Sequence, residues 1–70
     1  MTAGQGERTS WACARSLCSV APAWERGAVV RWRWTARRVY SDSRVQRDAG
    51  SSSTRAEAIR DAERAARRFR

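Results

Sequence analysis

Between residues 28 and 40 apolar and polar positions alternate. Val30, Trp32, Trp34, Ala36 and Tyr40 fall on one side, and Arg31, Arg33, Thr35 and Arg37 on the other. A period of two, rich in aromatic and β-branched residues, is that of a strand with one buried face. Arg38 interrupts the apolar side near its end. Ser41-Asp42-Ser43 is turn-prone through side-chain bonds to the backbone, and residues 44–49 read as a short return strand with Val45 and Ala49 on one side. A two-residue turn at Asp42-Ser43 pairs Tyr40 with Val45 and Arg37 with Asp48, and sets Arg38 against Arg47. A loop one residue longer pairs Arg38 with Asp48 but leaves Tyr40 opposite Gln46. The first register keeps the apolar residues together and is the expected one.

After the linker Gly50-Ser51-Ser52-Ser53, Thr54 and Glu57 have the spacing of a capping box, which opens a helix by satisfying first-turn amides. Residues 55–69 continue at helical period. Ala58, Ile59, Ala62, Ala65, Ala66 and Phe69 share an arc of about 120°, the width of a core-facing stripe. Arg60, Arg64 and Arg67 line the opposite side, with Glu57, Asp61 and Glu63 beside them as ordinary surface pairs. Arg67, Arg68 and Arg70 sit where they complement the helix dipole.

The first 27 residues carry weaker signals. Residues 1–9 are polar with two glycines and read as a tail. In residues 10–21, Cys13, Ala14, Leu17, Cys18 and Ala21 recur at helical spacing, with Arg15, Ser16 and Ser19 opposite and Pro22 as a stop, which predicts a short amphipathic helix. The expected fold is therefore α+β: a two-stranded antiparallel hairpin packed on one C-terminal amphipathic helix in residues 28–70, preceded by a tail or short helix in residues 1–27. The hairpin's free edges and the alanine-rich stripe also suggest a homodimer.

Charge changes the picture of what such a module meets. The 70 residues hold 15 arginines, no lysine and 7 acids, for a net charge of +8 and a pI near 11.6. The lack of Lys and Asn beside 13 alanines is what GC-rich coding produces, so the choice of Arg over Lys carries no message about the ligand. The charge itself attracts polyanions. Residues 1–27 hold three Arg and two Glu, whereas residues 28–70 hold twelve Arg and five acids, so the surplus belongs to the strand and helix segment.

Candidate chemistry is sparse. Without His, a general base would have to be one of the scattered carboxylates, and no glycine-rich phosphate loop or paired acids appear, so no enzyme is expected. No cofactor is implied. Cys13 and Cys18 could supply only half of a tetrahedral zinc site; a disulfide fits their spacing, and two free thiols fit a cytoplasmic protein. A secretory signal, with Arg8 at its start and Ala21-Pro22-Ala23 as cleavage site, is opposed by Arg15 within its apolar stretch. No apolar run approaches the roughly 20 residues of a transmembrane helix.

Arg31-Trp32-Arg33-Trp34 followed by Thr54-Arg55-Ala56-Glu57-Ala58 resembles the short basic strand-strand-helix proteins of actinobacteria and their phages. More remotely, a basic ribbon before a Thr-x-x-Glu-Ala helix resembles the arm-type DNA-binding domain of tyrosine recombinases, which implies DNA contact by the ribbon. The residues expected to bind DNA or RNA are Arg31, Arg33, Arg37, Arg44 and Arg47, mainly through phosphates. Trp32 and Trp34 are either base-stacking platforms or core, with core favoured because they form the apolar face of the strand. The alternative is a phage-type interaction module that binds an acidic protein surface, using Trp32, Trp34 or the Trp11 segment. Attachment of residues 10–21 to a membrane surface is a third reading.

Overall fold

The computed structural model describes residues 8–69. Four strands, β1 (Thr9–Cys13), β2 (Ser16–Glu25), β3 (Ala28–Val39) and β4 (Val45–Ser52), form one antiparallel sheet in the order β1-β2-β3-β4, and α1 (Arg55–Arg68) packs on one face of it. The chain is α+β as expected, but the two-stranded hairpin and the N-terminal helix are not what forms. Residues 10–21 lie in β1 and β2.

The reason lies in a turn. Cys13 pairs with Ser16 across Ala14 and Arg15, whose φ angles are 50° and 64°. A two-residue hairpin whose twist matches its strands needs positive φ at both central residues. That turn brings Cys13 and Cys18 onto the helix-facing side and leaves Leu17 and Ala21 on the other, so the apparent helical stripe mixed residues from two faces. The β2–β3 turn repeats the geometry with Arg26 at φ 53° and Gly27 at φ 79°. Since Ala and Arg adopt the left-handed region at a cost, Arg15→Gly is expected to raise stability by about 0.5–1 kcal/mol, measured by urea denaturation. Pro22, the expected helix stop, sits in β2 beyond the last β1 pair, Thr9 with Val20, where its missing N–H leaves no β1 ladder bond unmade.

The β3–β4 register also differs from both registers considered. Val39 pairs with Val45, Arg37 with Arg47, Ala36 with Asp48 and Trp34 with Gly50. Residues 40–44 close the hairpin through Tyr40 N–H to Arg44 C=O at 2.8 Å and Ser43 N–H to Tyr40 C=O at 2.9 Å, with Ser43 at φ 71°. What selects this register is the Trp34 side chain. An added Cβ on Gly50 would lie 2.7 Å from Trp34 Cζ2, so only a glycine can stand opposite the indole. Arg37 and Arg47 become neighbours as a result, in water where the repulsion is screened.

The core lies between sheet and helix. Cys18, Val20, Trp34 and Ala36 pack against Ala58, Ala62, Ala65 and Ala66, with Trp11, Cys13, Trp32, Ile59 and Phe69 around them. The small helix stripe brings α1 close to large side chains supplied by the sheet. Polar ties fix that docking: Trp11 Nε1 donates to Glu63 Oε2 (2.9 Å), Cys18 Sγ to the Ala62 carbonyl (3.6 Å) and Ser52 Oγ to Asp61 Oδ2 (2.6 Å). Arg68 Nη2 reaches Asp48 Oδ2 at 3.4 Å. The helix starts as its capping box requires, Glu57 N–H donating to Thr54 Oγ1 at 3.1 Å, although the Glu57 carboxylate accepts from the Thr54 hydroxyl rather than from a backbone amide.

Both cysteines are free thiols, Cys18 buried and Cys13 half-buried. Burial, then the nearby Cys13 and Glu63, push the Cys18 thiol up from 9.0 to about 11, with Arg67 acting the other way. The native state therefore keeps this proton after the unfolded chain has lost it, so the associated stability is full below pH 9 and is lost as pH rises through about 11. The Cys18→Ser variant, which cannot ionise there, should lose less stability than the parent between those limits in denaturant titrations.

Candidate nucleic-acid interface

Alternation along the paired strands divides the sheet into two faces. On the helix side lie Trp11 and Cys13 of β1, Ser16, Cys18, Val20, Pro22 and Trp24 of β2, Trp32, Trp34 and Ala36 of β3, and Asp48, Gly50 and Ser52 of β4. On the open face the register sets Ser10 with Ser19, Thr35 with Ala49, Ala21 with Arg33, Ala23 with Arg31, and Arg37 with both Leu17 and Arg47, with Glu25 at the end of β2.

Arg31, Arg33, Arg37 and Arg47 thus share one exposed surface. Glu25, at the end of β2, is an acid that alternation places on that surface, and among the described residues none of the four arginines has a carboxylate within salt-bridge distance. The ion pairs lie elsewhere, at Asp42 with Arg44, Asp61 with Arg64 and Asp48 with Arg68. Three of the four arginines stand on β3, at steps of roughly 7 and 13 Å for two- and four-residue separations at 3.3 Å per residue.

Between the arginines the surface is low. Ser19 and Thr35 meet at its centre with their hydroxyls 2.5 Å apart, and Ser19 is only 7% exposed although nothing but side chains of the open face can cover it. Concavities open on either side of this pair. One of about 380 Å³ is lined by Arg8, Leu17, Arg37, Arg47, Asp48 and Ala49, and one of about 470 Å³ by Arg8, Ala21, Pro22, Ala23, Trp24 and Arg33. Together they make a shallow furrow over β2 whose floor is hydroxyl and methyl groups and whose flanks carry guanidinium groups.

The other residues singled out from the sequence lie apart from this face. Arg44 belongs to the β3–β4 loop, where its Nε donates to Asp42 Oδ2 at 2.7 Å and its guanidinium stacks over Tyr40 at 4.9 Å. Arg38 covers the same ring at 4.5 Å, and Tyr40 hydrogen-bonds Gln46. Arg44 is thus committed to the loop. Trp34 is buried and Trp32 half-buried against the core, so neither is presented to a ligand on the open face. Arg8 joins the interface unforeseen, because the segment holding it gave no strand signal. Among the described residues no set of three His, Cys, Asp or Glu side chains could hold a metal, and no helix is long and apolar enough to cross a membrane.

This open, arginine-rich sheet face is what the chain presents for recognition, and no family model, curated protein or solved structure matches the chain closely enough to assign it a relative.

Proposed function

We propose that the protein is a small non-enzymatic nucleic-acid-binding accessory protein whose contact surface is the open face of the sheet. The observation that carries this reading is the clustering of Arg31, Arg33, Arg37 and Arg47, with Arg8 at the rim, on one face where, among the described residues, none of those four β3 and β4 arginines is held in an ion pair. Guanidinium groups fork to phosphate oxygens, and unpaired ones pay no cost of breaking an internal ion pair when they do so. The helix surface competes poorly: Arg64 pairs with Asp61 at 3.8 Å, Arg68 is drawn to Asp48, and Glu57 and Glu63 lie on the same helix.

Five phosphate contacts give a log affinity against log salt slope near −4.5 on a duplex and near −3.5 on a single strand. A fluorescence anisotropy titration on labelled DNA and RNA from about 50 mM salt upward measures it. Binding that steepens in this way supports the proposal. Undetectable binding, or binding indifferent to salt, rejects it; a protein partner retained after nuclease treatment and high salt would then favour recognition of an acidic protein surface.

A further inference from the structure

We infer that the Arg37–Arg47 rung of the open face takes the terminal phosphate of a nucleic-acid strand, a phosphate monoester rather than an internal phosphodiester. This rests on the nucleic-acid reading above and adds the chemical class of the group that the face selects.

The register supplies the first observation. Arg33 stands opposite Ala21 on β2 and Ser51 on β4, and Arg31 opposite Ala23, so each is the single cation of its rung. Arg37 and Arg47 are direct partners, and among the described residues theirs is the rung of the open face that sets two guanidinium groups side by side. Like charges directly opposite one another destabilise a sheet, and water screens that repulsion without neutralising it. Both side chains are exposed, and among the described residues neither has a carboxylate within salt-bridge distance. A bound anion of more than one charge relieves such a pair.

The cavity beside the rung supplies the second. The concavity of about 380 Å³ that Arg37 and Arg47 line is also lined by Arg8, Ser19 and Thr35. Ser19 and Thr35 share one hydrogen bond, so with Ser19 donating, the exposed Thr35 hydroxyl keeps a proton for a ligand oxygen. Asp48 lines the same concavity, but its carboxylate accepts from the Ala49 N–H at 2.9 Å and from Arg68 Nη2 at 3.4 Å.

Phosphate chemistry decides between the two kinds of phosphate. An internal phosphodiester has one charge and two free oxygens, enough for one guanidinium fork. A terminal phosphate carries about −1.5 to −2 charges at neutral pH and three free oxygens, enough for a fork from each arginine. Cβ atoms directly opposite across strands lie about 5 Å apart, so both guanidinium groups can close on one phosphate. Leu17, opposite Arg37 on β2 and 44% exposed, offers an apolar surface to the sugar that a strand end carries and inorganic phosphate lacks. Arg33 and Arg31 continue along β3, one cation per rung, for the internal phosphates that follow.

The test uses the full chain and a short oligodeoxythymidylate in three forms, with a 5′-phosphate, with a 3′-phosphate and with hydroxyls at both ends, beside thymidine 5′-monophosphate. At least one phosphorylated form should bind about tenfold more tightly than the hydroxyl form, through the second charge-assisted fork. Arg47→Ala should bring that ratio close to one, and Arg47→Lys, which keeps the charge but loses the fork, should restore only part of it. Arg31→Ala should weaken all three forms together and keep the ratio. Arg47 is exposed on an edge strand and its loss ends a repulsion, so the thermal midpoint of Arg47→Ala should equal or exceed the parent's and exclude misfolding as the cause. Equal binding of phosphorylated and hydroxyl forms, or a preference untouched by Arg47→Ala, overturns the inference and leaves the face as a phosphodiester-binding surface. A monophosphate that binds as tightly as the phosphorylated strand overturns the strand end as the source of the group. Failure of every strand to bind overturns the nucleic-acid reading itself, and the inference with it.

Discussion

Gly50→Ala should destabilise the protein by about 2 kcal/mol, a methyl group's worth of overpacking in a filled site. The backbone at Gly50 is ordinary strand, so a Gly→Ala change there would by itself restrict the unfolded chain and stabilise the fold by a few tenths to about 1 kcal/mol. Space reverses that sign. The new Cβ would meet Trp34 Cζ2, Cε2 and Nε1 at 2.7, 2.8 and 2.9 Å, atoms of one rigid ring rather than the tip of a flexible chain. Trp34 is 9% exposed and lies against the alanine stripe of α1, so the ring cannot retreat without lifting the helix. A fall of about 10 °C in the thermal midpoint is expected for a domain of this size. Trimming the ring should relieve the clash: in a double-mutant cycle with Trp34→Leu, the two substitutions should couple favourably by at least about 1 kcal/mol. A neutral or stabilising Gly50→Ala would mean that the β3–β4 register is not the one described.

The second large effect concerns binding. Replacing Arg31, Arg33 and Arg37 together by Ala should weaken nucleic-acid binding about 100-fold near 0.1 M salt, at roughly 1 kcal/mol per lost phosphate contact. The salt slope should fall by about 2 to 3. These residues are exposed and make no ion pair among the described residues, so the thermal midpoint should hold or rise slightly as like charges leave a crowded face. Replacing Arg60, Arg64 and Arg67 removes the same formal charge from the helix surface. If steering by net charge were all that mattered, both triple variants would bind alike. Local contact predicts that the helix variant retains most of its affinity, because those arginines sit among Glu57, Asp61 and Glu63 on the far side of the molecule.

Much of this architecture was legible in the sequence where local chemistry was decisive. The Thr54–Glu57 pair marked the start of α1, and the alternation from Val30 to Arg37 separated the arginine side of β3 from its tryptophan side. The N-terminal hairpin was not legible, for a physical reason. Its turn residues Ala14 and Arg15 carry none of the Gly or Asn signature of positive φ, and Pro22 argues against a strand unless one knows that β1 has already ended beside it. The pairing of β3 with β4 was hidden because it turns on a tertiary contact between the Trp34 ring and a glycine that reads as linker. The candidate face was half visible. Arg31, Arg33 and Arg37 followed from alternation, but the furrow between them exists only because β2, with its small residues, lies alongside β3. Arg44 lies apart from them, in a loop whose geometry, not legible in the sequence, ties it to Asp42.

The central claim is that ligand lies on the open sheet face, and a 15N-labelled titration of the full chain with a short oligonucleotide maps it most directly. The account predicts that amide and Arg Nε–H shifts concentrate on Ser19, Ala21, Ala23, Arg31, Arg33, Thr35 and Arg37, with α1 amides nearly still. Perturbations gathered instead on Arg60, Arg64 and Arg67 of the helix, with β2 and β3 unmoved, would contradict it.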